Sequence, residues 1–282
     1  MAEHAAVRRE REFEFTQRDF EQIRRLIYEH AGISLSPAKM DMVYSRIARR
    51  LRATGLTIFQ EYLSFLNENP DEWQHFTNSL TTNLTSFFRE SHHFPVLAEH
   101  AQDIKRQGRR PMRVWSSACS TGEEPYSIAM TLIEAFDSWT PPVQILATDL
   151  DTNVVRHAAE GIYPLDRVEK LSTAQLKRFF LRGTGSRAGM ARMRPEVQAL
   201  IEFQPLNLLS PAWPMREPFD VIFCRNVMIY FDKATQAKIL TRFHPLLRPD
   251  GLLFVGHSES LAHVANLFRL RGKTVYAPVH PH

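Results

Sequence analysis

The chain has 282 residues, 44% of them apolar and 23% charged, with a formal net charge of +4. That balance excludes extensive disorder, the length suits two domains, and the small positive excess gives no argument by itself for nucleic acid. No run approaches the roughly 20 apolar residues that span a bilayer, the charged start MAEHAAVRRERE has no apolar signal core, and Cys119 and Cys224 fit neither a metal spacing nor a disulfide framework, which predicts a reduced, cytoplasmic compartment.

Residues 1–15 read as a flexible arm and residues 16–90 as a helical domain. Thr16 with Asp19 forms a capping box ahead of the apolar stripe Phe20, Ile23, Leu26 and Ile27, and Gly32 closes that helix. Ser36-Pro37 opens a second helix. Its Val43, Ile47 and Leu51 share one face, while Arg46, Arg49 and Arg50 share another. From Lys39 to Leu56 the basic residues Lys39, Arg46, Arg49, Arg50 and Arg52 face a single acid, Asp41. Such a helix seeks an acidic partner or is a solvated face. Thr57 with Gln60 marks a third start, and a fourth helix runs from about Asp71. The junction TTNLTSFFRE (81–90) combines Asn83, Thr85 and Arg89 with Phe87-Phe88, as either a helix end or a segment that carries an arginine and two rings over a site. His92-His93 lack a third ligand at metal spacing and read as surface histidines, with no metal site expected.

From Arg113 onward the pattern changes. MRVWSS, VQILATD, ALIEFQPLN, FDVIFCRN and GLLFVGHS are short apolar runs separated by helical stretches, the mark of a parallel sheet covered on both faces. The expected class is doubly wound α/β over 91–282, with ligand chemistry at the carboxyl ends of the strands. FRLRGKTVYAPV suggests a closing antiparallel hairpin. Between about 173 and 197, Gly183, Gly185 and Gly189 are too many for a crossover helix, so a small antiparallel β insertion is expected there.

The first strand runs into a loop of small residues, Ser116 to Gly122, followed by Glu123 and Glu124 and a helix from about Pro125. Neither the G-x-G-x-x-G nor the phosphate-loop fingerprint is present. Two acids at that point oppose a pyrophosphate and suit a cation such as S-adenosylmethionine, or they merely complement a helix dipole. Asp149, ending the second strand, is placed to accept ribose hydroxyls, whereas Asp151 caps the next helix. Asn207 and Leu208 end the third strand, where an adenine would lie. Arg225 and Asn226 follow the fourth, with Tyr230 and Phe231 as pocket wall or core.

Together NLTSFFRE, RVWSSACSTGEEPYSIAM, ILATDLDTNV, GIY (161–163), LRGTG and FCRNVMIYFD resemble the CheR family of chemotaxis receptor methyltransferases, from about Phe15 to Val279. Ala118 and Cys119 stand where many methyltransferase loops have glycine, and Cys119 raises the expectation of thiol-reagent sensitivity. The resemblance implies a helical N-terminal domain, a Rossmann-like S-adenosylmethionine-dependent methyltransferase domain and an inserted β-subdomain. It implies cofactor contacts at Asn83, Thr85, Arg89, Glu123, Asp149, Asn207, Leu208, Arg225 and Asn226, with Tyr230 near the transferred methyl and Arg89 orienting carboxylate or cofactor. The implied reaction esterifies glutamates on the chemoreceptor's cytoplasmic helices, leaving S-adenosylhomocysteine. Arg46, Arg49 and Arg50 would meet the receptor. Arg182 and Arg192 would face a receptor C-terminal pentapeptide added at the β insertion, a docking module apart from the active site. A nucleic-acid methyltransferase and a non-catalytic cofactor-binding regulator are the competing readings; the absence of an RNA-binding motif opposes the first.

Overall fold

The computed structural model describes residues 11–108 and 111–280. The chain divides between Thr81 and Thr82 into two compact units.

The first unit is helical: α1 (Gln17–Ala31), α2 (Met40–Thr54), α3 (Phe59–Glu68) and α4 (Pro70–Leu80). Thr16 and Asp19 form the expected capping box, and Gly32 ends α1 in the left-handed conformation. The third start differs from expectation. α3 begins at Phe59 behind Ile58, and α4 begins one residue before Asp71 with Pro at its first position. The expectation of a flexible arm is contradicted over residues 11–15. Residues 1–10 lie outside the described residues, but Phe13 and Phe15 are buried, and Arg11 pairs with Asp41 at 2.6 Å. Two aromatic side chains withdrawn from water tie that segment to the helices.

The second unit contains α5 (His93–Arg106), α6 (Glu123–Phe136), α7 (Thr152–Glu160) and α11 (Lys233–Phe243), with the short helices α8 (Leu165–Val168), α9 (Thr173–Phe179) and α10 (Pro195–Gln198). Its main strands are β1 (Met112–Ser116), β2 (Val143–Asp149), β6 (Ile201–Pro205), β7 (Phe219–Cys224), β8 (Leu247–Val255), β9 (Phe268–Gly272) and β10 (Val275–Pro278). They form one sheet in the order β6-β2-β1-β7-β8-β10-β9. β6 through β8 are parallel, and the β9–β10 hairpin closes the edge antiparallel.

β7 explains why the sheet is central. All six of its residues are buried. Val221 and Phe223 join the core that packs α5 and α6, while Phe219, Ile222 and Cys224 join the core under α11. A strand apolar on both faces has no stable position at a solvated surface. The chain leaves β1 toward β2 in one direction and returns to β7 on the other side. The point where strand order reverses therefore lies between β1 and β7, and it opens a crevice at their carboxyl ends.

The β insertion begins earlier than expected. β3 (Ile162–Pro164), β4 (Phe180–Arg182) and β5 (Met190–Met193) form a three-stranded antiparallel sheet in the order β3-β5-β4. The run GIY supplies the third strand, which the glycine signal alone did not mark. Arg192 is on the middle strand and pairs in register with Ile162 and Leu181, whereas Arg182 pairs with Ala191. Side chains alternate along a strand, so the two arginines project from opposite faces. They do not form one basic surface.

Candidate functional site

The loop after β1 is fixed by both neighbouring strands. Ser117 N–H donates to the Phe223 carbonyl at 2.9 Å, Cys119 N–H to the Thr148 carbonyl at 2.9 Å, and Ser120 N–H to Asp149 Oδ2 at 2.8 Å. Ser120 is held at φ +48° and Gly122 at φ +98°. At Gly122 a Cβ would come within 2.7 Å of the Tyr163 hydroxyl and 2.9 Å of Ala158 Cβ, so both backbone angle and space require glycine.

Asp149 ends β2 with both oxygens engaged by main chain, since Asp151 N–H donates to Oδ1 at 3.0 Å. Burial pushes its pKa up to about 6, against the lowering effect of those N–H groups. Asp151 caps α7 as expected by accepting from Asn153 N–H, and it also accepts from Asn83 Nδ2 at 2.8 Å.

The two acids after the loop differ from expectation. Neither is idle. Glu123 is fully buried and paired with Arg167 of the insertion, which also donates to the Thr85 carbonyl at 3.2 Å. Glu124 accepts from Ser116 Oγ at 2.8 Å and lies 3.1 Å from Arg225 Nε. Burial raises the Glu124 pKa, against the pull of Arg225. An arginine for each acid satisfies charges that would otherwise be costly to bury.

Arg225 departs most from the expected role. Its side chain is buried, and Nη2 donates to the Arg89 carbonyl at 2.6 Å while Nη1 lies 3.2 Å from His93 Nδ1. His93 is fully buried, correcting the expectation of a surface histidine. Its Nε2 meets Thr274 Oγ1 at 2.8 Å, and burial together with Arg225 lowers its pKa to about 3, so it is neutral. A guanidinium has only donors, so Nδ1 accepts and the proton is on Nε2.

Asn226, at φ +59°, is held by two acids that follow neighbouring segments. Its N–H donates to Glu259 Oε2 at 2.9 Å, and its Nδ2 donates to Glu90 Oε1 at 3.1 Å. His257 adds backbone and ring contacts to the same Glu90 oxygen, both at 3.1 Å. Burial pushes Glu90 up, but the His257 donors and the nearby Arg225 charge bring it below its ordinary value. Its Oε2 is buried without a hydrogen-bond partner.

The remaining expected residues lie on the same rim. Tyr230, in a short 3-10 turn, reaches the Thr82 carbonyl at 3.4 Å. Asn83 accepts from Ser120 Oγ through its carbonyl at 3.1 Å. Asn207 accepts from Leu209 N–H at 2.8 Å in a side-chain turn after β6, and Leu206 N–H donates to the Asp149 carbonyl at 2.8 Å. The Leu208 side chain is instead buried in the core with Trp115. Residues 82–90 therefore belong to the second unit, because Asn83, Phe88, Arg89 and Glu90 all hydrogen-bond to it. That sets the division at 81/82, before the expected boundary at 90.

Cys119 is fully buried, and burial raises its thiol pKa well above the ordinary value. The expected thiol sensitivity fails on that ground, since the reactive form is an accessible thiolate. On α2, Arg50 grips buried Glu72 through two bonds of 2.9 and 2.8 Å, and Arg46 donates to the carbonyls of Ser79 and Thr81 at the end of α4. Arg49 is the exposed member of that trio.

Around the crevice, Glu90, Glu123, Glu124, Asp149, Asp151 and Glu259 outnumber Arg89, Arg167 and Arg225. An acidic rim with buried carboxylates disfavours a polyphosphate and suits a ligand bearing positive charge. Asp149 adds a desolvated acceptor at a strand end, so the residues fit a cationic nucleoside cofactor.

Residues 83–277 match the family described as CheR methyltransferase, SAM binding domain, and residues 18–81 match CheR methyltransferase, all-alpha domain. Chemotaxis protein methyltransferase 2 of Pseudomonas aeruginosa is 54% identical over 267 residues, covering 95% of each chain. Chemotaxis protein methyltransferase of Escherichia coli is 54% identical over 260 residues, covering 92% of this chain and 90% of that one. Its counterpart in Salmonella typhimurium is 55% identical over 260 residues, covering 92% and 89%.

Proposed function

The chain belongs to the CheR methyltransferase family and uses S-adenosylmethionine, and from that premise we propose that it methylates glutamate side chains on the cytoplasmic helices of chemoreceptors. The cofactor supplies an electrophilic methyl group. The chain's own residues bind, orient and exclude water.

The observation that carries this reading is the acidic, phosphate-rejecting rim around Asp149. Asp149 would accept the ribose hydroxyls, and Asn207 would border the base. The backbone of Ser117 to Gly122 would lie against the amino-acid portion, whose ammonium suits Glu90. Asn83, Thr85 and Asn226 complete the rim, and Glu123 and Arg225 act by holding its walls. Arg89 and Tyr230 border the point of transfer, with Arg89 orienting the substrate carboxylate.

No general base is needed. A glutamate with a pKa of about 4.3 is already ionised at neutral pH. Its charge is neutralised as the ester forms, so a poorly hydrated pocket favours the transition state over the separated ions. Positioning supplies the rest. Of Arg46, Arg49 and Arg50 on α2, the exposed Arg49 is the one free of a structural role in its own unit, and it would meet an acidic receptor helix. A receptor C-terminal peptide would add to the small sheet, with Arg192 on one face. No described helix is long and apolar enough to cross a membrane.

The test is transfer of labelled methyl from S-adenosylmethionine to a receptor's cytoplasmic fragment. Alkali then releases the label as methanol, which an ester yields and an N-methyl group does not. Label that survives alkali refutes carboxyl methylation.

A further inference from the structure

The residues on either side of Arg89 both have left-handed backbone: Phe88 at φ +51° and Glu90 at φ +54°. Non-glycine residues rarely adopt this conformation, and two around a single arginine must be imposed by their surroundings. Each peptide of the turn has its own restraint. Phe88 N–H donates to Ser127 Oγ at 2.9 Å, and the Arg89 carbonyl accepts from Arg225 Nη2 at 2.6 Å. The Glu90 carboxylate accepts from Asn226 and His257, each at 3.1 Å. Arg225 is in turn fixed by Glu124 at 3.1 Å, by His93 at 3.2 Å and between the rings of Phe94 and Phe223.

We propose that Arg225 and Ser127 are positioning residues that hold the turn Phe88–Arg89–Glu90 in its left-handed form and thereby set the direction of the Arg89 guanidinium. This rests on the assignment of Arg89 to the point of transfer. Arg225 has every polar group of its buried side chain turned to protein, so it acts on the reaction through the Arg89 backbone. Ser127, inside α6, touches the turn only through its hydroxyl. With the turn released, both residues revert to ordinary backbone angles, and the arginine between them swings off its Leu84 contact of 2.8 Å.

The test compares Arg225→Lys, Ser127→Ala and Arg89→Ala with each double variant. Both positioning variants should lower kcat by roughly tenfold, and any loss of affinity for S-adenosylhomocysteine, through Glu90 and the walls that Arg225 holds, should be smaller than the loss in kcat. Neither should add to the loss already caused by Arg89→Ala, because a residue that acts through another has no independent effect. Hydrogen exchange without substrate should show faster exchange at residues 86–90 in both variants. Additive losses, or exchange at 86–90 unchanged in Ser127→Ala, overturn the proposal. Ser127→Ala decides the matter if Arg225→Lys fails to fold. A wild type that binds S-adenosylhomocysteine but methylates no receptor fragment refutes the proposed substrate, and the exchange measurement then still judges the clamp.

Discussion

The phenol of Tyr163, on β3 of the small sheet, donates to the carbonyl of Thr121 in the loop after β1 at 2.7 Å. Arg167, three residues beyond β3, reaches Glu123, which follows the same loop and opens α6. The β insertion is therefore built into the wall of the site. The expectation of a docking module apart from the active site fails on these two contacts.

Gly122→Ala tests the loop most directly. The added methyl meets Tyr163 and Ala158 below 3.0 Å, on a backbone angle that alanine resists. Calorimetry should show affinity for S-adenosylhomocysteine reduced by at least about tenfold, a loss of about 1.4 kcal/mol. Tyr163→Phe keeps the ring and loses only the bond to Thr121, so it should cost about 1 kcal/mol of stability.

Asp149 gives a pH signature. Its folded pKa of about 6 lies above the unfolded value, so the protonated form favours folding. That contribution is fully present below about pH 4 and is lost as pH rises through 6, amounting to about 3 kcal/mol at most. Urea unfolding of wild type and Asp149→Asn between pH 4 and 7 should show the stability difference between them shifting in that window. Cofactor affinity should move the other way, because ribose hydroxyls donate to the carboxylate. Affinity for S-adenosylhomocysteine that stays flat down to pH 5 would remove Asp149 from the ribose role.

Charge reversal separates the arginines of α2. Arg50→Glu leaves Glu72 buried beside a second acid and weakens its bond from Tyr62 at 2.8 Å. Because Arg50 is partly exposed, a loss of about 2–3 kcal/mol is expected, read as a lower melting temperature. Arg49→Glu should change stability by less than about 0.5 kcal/mol. Its effect should appear as slower receptor methylation at unchanged cofactor affinity.

Cys119 and Cys224 are both fully buried, and burial raises both thiols. Ellman's reagent should find neither in the native protein and both after denaturation. Rapid native reaction would show that the loop opens.

Much of this arrangement was legible in the chain. Alternation of short apolar runs with helices marked the sheet, the Thr16–Asp19 capping box marked α1, and Asp149 and Asn226 stood at strand ends. Pairings across long separations were not legible. Arg225 meets His93 at a separation of 132 residues and Arg167 meets Glu123 at 44, and no local pattern announces either. A side chain's partner is decided by topology, so the ion pairs of Arg225 with Glu124 and of Arg167 with Glu123 could not be read from the chain. Glu259 carried a weak signal, as an acid a few residues beyond the apolar run Leu252–Val255 that ends β8. The facing of the insertion's two arginines was not legible, because it depends on the register of β4 against β5, which pairs Arg182 with Ala191 rather than with Arg192.

The strand order has a consequence for synthesis. β1 lies beside β7, and Arg113 N–H is bonded to Asp220 at 2.8 Å across 107 residues of chain. The helical unit, which ends at Thr81, can close while the rest is still unmade. The crevice cannot, because its far wall at Arg225 and Glu259 leaves the ribosome last. For most of translation β1 and β2 have one edge uncovered, a state that invites chaperone binding and aggregation. Truncation between Thr82 and β8 should therefore yield a folded helical unit attached to a chain that binds no cofactor.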